Sequence, residues 1–184
     1  MNQTTLNPSR RQLVGIFAML LLPIPCFAGG PKEAAKLTEF KTFATTGDHA
    51  GKEIDFTDKF KSGWTVYVFV QADRFDRPLA RFLRGLDQEL VKNDRRDVQV
   101  VAVWLTDDKE KSKEHQPKIN QSLQFGQTTL TVFLGDKAGP NGWEIDNLKT
   151  ATAVVTQDRV VRKCLDWESV NDTVVPDVFS QIKK

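Results

Sequence analysis

The chain has 184 residues, with 26 Lys and Arg against 24 Asp and Glu, and 40% of its side chains are hydrophobic, enough for one domain with a core of its own. Residues 1–28 hold two arginines and no acid, so the remainder balances 24 basic against 24 acidic groups. A neutral body has no long-range field to hold a phosphate backbone, which disfavours nucleic acid as a partner.

Ser9-Arg10-Arg11 precedes the apolar run Leu13–Leu22, and Pro23 and Pro25 then break any helix before Cys26-Phe27-Ala28. This pattern predicts a secretory signal over 1–28, cleaved after Ala28. The apolar run is roughly ten residues, against about twenty for a spanning helix, so no permanent membrane anchor is expected. Export to the periplasm or the extracellular space follows. The string Ser-Arg-Arg-Gln-Leu-Val resembles a twin-arginine signal, and an ordinary positive region for the general secretory route reads equally well. Removal of Cys26 leaves Cys164 alone in an oxidising compartment. An intramolecular disulfide, dithiol exchange within one chain and a cysteine-based zinc site are thereby excluded.

Residues 29–37 read as a polar linker and 38–184 as the domain. Phe40 and Phe43, then Ile54 and Phe56, predict two short strands around the Thr46–Gly51 turn. Trp64–Val70 is a continuous β-branched and aromatic run, which suits a strand buried on both faces. Leu79, Phe82, Leu83, Leu86 and Leu90 then form one stripe of an amphipathic helix, with Asp76 as N-cap and Pro78 in its first turn. A second buried strand follows over Val98–Leu105, so the strand, helix, strand order predicts a right-handed parallel crossover.

Thr106–Gln116 predicts a charged helix that Pro117 should break or kink. Leu130–Leu134 is a further strand. Gly135–Gly142 is a turn that leads to Trp143, which reads either as part of a groove or as a lid on the core. Ala151–Thr156 and Val160–Cys164 flank a short turn, the spacing of an antiparallel hairpin. Trp167–Ile182 predicts a closing helix through Val170, Val174, Val178, Phe179 and Ile182.

This order of elements resembles thioredoxin-like domains, an α/β three-layer sandwich with helices on both faces of a mixed central sheet. Ala50–Phe56 is similar to the entry hairpin of the exported thiol-disulfide and peroxiredoxin-type branches. Trp64–Val70 with Ala72–Pro78 resembles the strand and active-site loop, and Trp143–Ile145 with Ala151–Val155 the segment before the final hairpin. The resemblance covers 38–184. Where it implies Cys-x-x-Cys, this sequence has Arg74 and Arg77, and a guanidinium stays protonated and cannot be a nucleophile. Where it implies a cis-proline, Thr150 is followed by Ala151. A non-proline cis bond costs about 3 kcal/mol, so a trans bond is expected there. The helix N-terminus retained at that face favours anions and extended backbone.

Candidate binding residues are therefore Asp73, Arg74, Asp76 and Arg77, with Thr150 and Ala151 opposite. The arginine forks suit a carboxylate, an anion or a peptide. The same cluster also reads as a solvated loop in which Asp76 caps the helix and the arginines pair with Asp73 and Asp87. Cys164 reads either as a reactive thiol beside Arg162 and Lys163 or as a buried, inert one. His49, His115, Asp107, Asp108 and Asp136 lack metal-ligand spacing, and nothing in the residues calls for a metal or a cofactor. No nucleophile-elbow serine and no glycine-rich phosphate loop is present. The leading expectation is a protein- or peptide-binding module without dithiol redox activity. A single-cysteine thiol oxidoreductase or peroxidase using Cys164, and a structural envelope protein, are the alternatives.

Overall fold

Seven strands form one sheet in the order β2-β1-β5-β4-β3-β6-β7 in a computed structural model that describes residues 29–183. The signal peptide read over 1–28 lies outside the described residues. The strands are β1 (Lys41–Ala44), β2 (Lys52–Asp55), β3 (Trp64–Gln71), β4 (Val98–Leu105), β5 (Thr128–Phe133), β6 (Ala151–Gln157) and β7 (Val160–Trp167). The helices are α1 (Phe56–Lys59), α2 (Arg77–Lys92), α3 (Lys109–Leu123) and α4 (Val175–Phe179). Strands β3, β4 and β5 are parallel, and every other pairing is antiparallel.

All eight residues of β3 are buried because the strand is central and covered on both sides. Val66, Val68 and Val70 face one core with the α2 stripe of Leu79, Phe82, Leu83, Leu86 and Leu90, while Tyr67 and Phe69 face a second. The crossovers from β3 to β4 and from β4 to β5 step the same way across the sheet, so right-handedness puts α2 and α3 on one face. Helix α4 packs there as well, through Val175 and Val178. On the opposite face lie α1, the segment around Leu37 and Phe40, and the loop that carries Trp143.

Several elements depart from their sequence reading. Phe56 opens α1 rather than ending a strand, because Asp55 caps it: one Asp55 oxygen accepts from Thr57 N at 2.8 Å and from Asp58 N at 3.3 Å. Helix α3 starts three residues late and runs through Pro117. The start is shifted because Asp108 is the cap, accepting from Lys111 N at 3.1 Å. Pro117 is exposed, so the carbonyl it frees one turn back lies on the solvent side. The closing helix is shorter than expected. Trp167 ends β7, a 3-10 turn covers Asp172–Val174, and α4 begins with Pro176 in its first turn, where a proline is tolerated. Residues 29–37 pack as part of the domain: Ala34 N donates to Val161 O at 2.8 Å, and Leu37 is buried.

Arg95 fastens the end of the chain to the start of β4. Its side chain is 7% exposed and grips both Asp97 oxygens at 2.9 Å, and Nη1 donates to Ile182 O at 3.1 Å. The Arg95 hydrogen bond holds the Asp97 carboxyl below its ordinary range. A carboxyl depressed in the folded state stabilises above its unfolded pKa, about 3.9, and that contribution disappears as pH falls below it. Asp97 is more than half exposed, which limits the size of the effect. In urea titrations the gap between wild type and Asp97→Asn should therefore be widest at neutral pH and narrow below about pH 4.

Candidate functional site

The C-terminal ends of β3 and β4 lie side by side, with Gln71 in register with Leu105, and this brings their following loops together. Beyond Gln71 the chain makes a 3-10 turn over Ala72–Arg74, then extends through Phe75 to Asp76. Asp76 Oδ1 accepts from Leu79 N at 2.9 Å and starts α2. Pro78 has no N–H and Ala80 N is bonded to Asp76 O, so only the Arg77 N–H remains of the helix's opening donors. The positive end of α2 is thus filled by its own carboxylate, which removes the free anion seat expected there.

Among the described residues Arg74 pairs with no acid. Its Nη1 donates to the Leu148 carbonyl and ties the turn to the loop before β6. Gln71 Nε2 reinforces the tie by donating to Asn147 Oδ1 at 3.1 Å. Asp87, read as an arginine partner, instead accepts from Gly126 N, Gln127 N and Thr128 Oγ1. The Thr150–Ala151 bond is trans. Thr150 Oγ1 donates to Glu168 O at 2.6 Å, and Ala151 is 2% exposed within the sheet. Neither lines the cavities between the loops that follow β3 and β4.

Two adjoining cavities, of about 360 and 380 Å³, share Ala72, Asp73, Thr106 and Asp108. The first has Phe75 and Trp104 along its apolar side, their rings 5.0 Å apart, with Lys111 and His115 at the rim. The second takes in Arg74, Asp107, Lys137 and Asn147. Lys137 Nζ lies 2.5 Å from Asp107 Oδ2, and this bond raises the ammonium's pKa, with Asp73 and Asp136 acting the same way. The groove therefore joins an aromatic wall of half-buried Phe75 and buried Trp104 to a mixed-charge mouth, a combination suited to an extended, amphipathic ligand. Among the described residues, no group of three or more His, Cys, Asp or Glu is placed to hold a metal ion.

Of the sequence candidates, Asp73 and Arg74 line this groove. Asp76 is committed to its cap, and Arg77 is exposed outside it. The residues that sequence reasoning missed are Phe75 and Trp104 as a wall, and Asp108, His115 and Asn147 at the edges. The available signal was the pair of parallel strands, whose C-terminal loops must be neighbours. Cys164 lines neither cavity. Burial, and then the Asp166 carboxylate, push its thiol up to about 12.

No family model and no curated relative matches the chain. Solved structures do. Peroxidoxin BcpB from Mycobacterium tuberculosis aligns with a TM-score of 0.60 at 15% identity, covering 83% of this chain and 96% of that one. The fold is thioredoxin-like. BsSco, of the Sco family of cytochrome c oxidase assembly proteins, aligns at 0.56 and 14% identity over 84% of this chain and 96% of that one. Yeast mitochondrial 1-Cys peroxiredoxin aligns at 0.56 and 13% identity over 80% and 75%. Within this thioredoxin-like domain, the groove lies beside the turn between β3 and α2, where the resemblance implied a first cysteine and this sequence has Arg74. Among the described residues no helix is long and apolar enough to cross a membrane.

Proposed function

We propose that this chain is an exported thioredoxin-like domain without dithiol redox activity, and that it binds protein or extended peptide in the groove between the Ala72–Arg74 turn and the start of α3. The observation that carries this reading is the groove itself: an aromatic wall and a polar mouth stand beside the turn that carries Arg74, where the resemblance implies the first of two thiols, with the one thiol of the described residues elsewhere. The Arg74 grip on Leu148 gives the mouth a fixed edge, and fixed edges reduce the ordering cost of binding. Leu148 is 75% exposed beside it and supplies an apolar contact for a bound chain. The alternative of a single-cysteine oxidoreductase gains nothing from a half-buried thiol held protonated at neutral pH.

Two measurements test the reading together. The purified protein should not speed the reduction of insulin disulfides by dithiothreitol above the rate of the reagent alone. Peptides captured on an array should lose about tenfold in affinity with Phe75→Ala, which trims the aromatic wall, and with Arg74→Ala, which frees the edge. Catalysed insulin precipitation would end the redox-inactive part. Capture that neither substitution weakens would place binding on another face.

A further inference from the structure

Residues 29–37 run along β7 and pass over Cys164. The far part of this strap is pinned by backbone bonds: Ala34 N to Val161 O at 2.8 Å, Val161 N to Ala35 O at 2.9 Å, and Leu37 N to Arg159 O at 3.0 Å. Among the described residues the near part is held by fewer backbone bonds. Gly30 N donates to Glu144 O at 2.7 Å, and the Cys164 thiol donates to Gly29 O at 3.2 Å. A Cβ on Gly30 would stand 2.2 Å from Cys164 Sγ, at a backbone φ of +117°, and one on Gly29 would stand 2.5 Å from Asp146 Cβ. The strap closes over the sulfur because the two residues above it are glycine.

Two polar atoms of the sheet under the strap lack partners among the described residues. Thr152, 1% exposed, has no hydrogen-bond partner for Oγ1 among the described residues, and Asp166 has none for the buried Oδ2. These two residues face each other in the β6–β7 register, and Cys164 lies two positions along β7 on the same side. The Thr152 methyl lies 3.6 Å from the Cβ position of Gly30, directly beneath the strap. Orphaned buried groups oppose the closed state, and solvent reaching them when the strap lifts relieves that opposition. Among the described residues this segment has three backbone bonds at one end and one at the other, and it lies over unsatisfied groups, the features of an opening unit of low local stability.

We propose that Gly29–Gly30 is a hinged cover over Cys164, and that lifting it turns a sheltered thiol into one open to small electrophiles and disulfides. The groove and its ligand play no part in this. Alkylation by iodoacetamide is the probe: a carbon–sulfur bond forms at Cys164 Sγ, iodide leaves with the bonding pair, and the thiol proton passes to solvent. The full chain is labelled and the Cys164 peptide is read by mass, separately from Cys26. Wild type should label far more slowly than the urea-unfolded chain, with a rate that rises only weakly with urea below the unfolding transition, as expected for local opening. Gly30→Ala should speed labelling by about tenfold or more, with far-ultraviolet circular dichroism unchanged. The proposal is overturned if Gly30→Ala folds and labels at the wild-type rate. It is equally overturned if wild-type labelling carries the full urea dependence of global unfolding, a result that decides the matter even where the variant does not fold.

Discussion

Trp143→Ala should destabilise the domain by about 3–5 kcal/mol, the range for removing a buried aromatic that cannot be replaced by collapse. Trp143 is fully buried although it stands in a connection. Its ring meets Phe40, Tyr67 and Phe69 edge-on, at centroid distances of 4.8, 5.2 and 5.2 Å, and Nε1 donates to Thr38 O at 2.9 Å. Its neighbours belong to β3 and to the segment before β1, so the cavity left behind would be walled by elements that cannot close on it. Trp143→Phe should cost less, keeping much of the ring contact but leaving the Thr38 carbonyl without its donor, about 1–3 kcal/mol. Urea titration followed by circular dichroism measures both. A loss below about 1 kcal/mol for the alanine variant would show that the loop is not part of the core. The same loop holds Leu148, so Trp143→Ala should also loosen the Arg74 edge of the groove.

The second large effect is expected at Asp87→Ala, again about 3–5 kcal/mol, because a buried carboxylate with three donors is removed. Asp87 is 4% exposed on α2, yet its oxygens accept from Gly126 N at 2.9 Å, Gln127 N at 2.8 Å and Thr128 Oγ1 at 2.8 Å. It is the clamp that fixes the turn between α3 and β5. Asp87→Asn keeps one acceptor oxygen and turns an amide donor towards donors already present, so it should recover only part of the loss. Urea titration gives the size of the change. Hydrogen exchange at Gly126 and Gln127 gives its location, because both amides should lose protection selectively. Unchanged protection would mean that the backbone of that turn holds without the carboxylate.

Asp87 also shows where the sequence falls silent. As one acid on a charged helix face it invites pairing with an arginine of the same helix, and its true partners lie 39–41 residues away. By contrast, the α2 stripe and the runs Trp64–Val70 and Val98–Leu105 are legible because burial on a helix face or between two layers imposes a local period. Phe56 and Pro117 mislead for one reason each. A cap at Asp55 overrides an alternation of only two apolar residues, and exposure on one side of α3 makes a missing donor tolerable. The groove was half visible: Asp73 and Arg74 follow from the order of elements. Phe75, Asp108 and Asn147 reach it from three different connections and Trp104 from β4 itself, and the lateral pairing of β3 with β4 and with β6 makes them neighbours.

The two sides of the sheet are assembled from chain segments at different separations, which bears on how the molecule reaches its native state. On the α2 side, the helix and the two strands flanking it are consecutive in the chain, so their ordering requires only short closures. On the aromatic side, the Trp143–Thr38 bond spans 105 residues, and the entropy of bringing such distant points together delays the contact until a scaffold exists. Nucleation is therefore expected in β3, α2 and β4 with Trp143 docking afterwards, and in a chain whose Trp64, Trp104 and Trp167 are replaced by Phe the remaining tryptophan's fluorescence would report that final step.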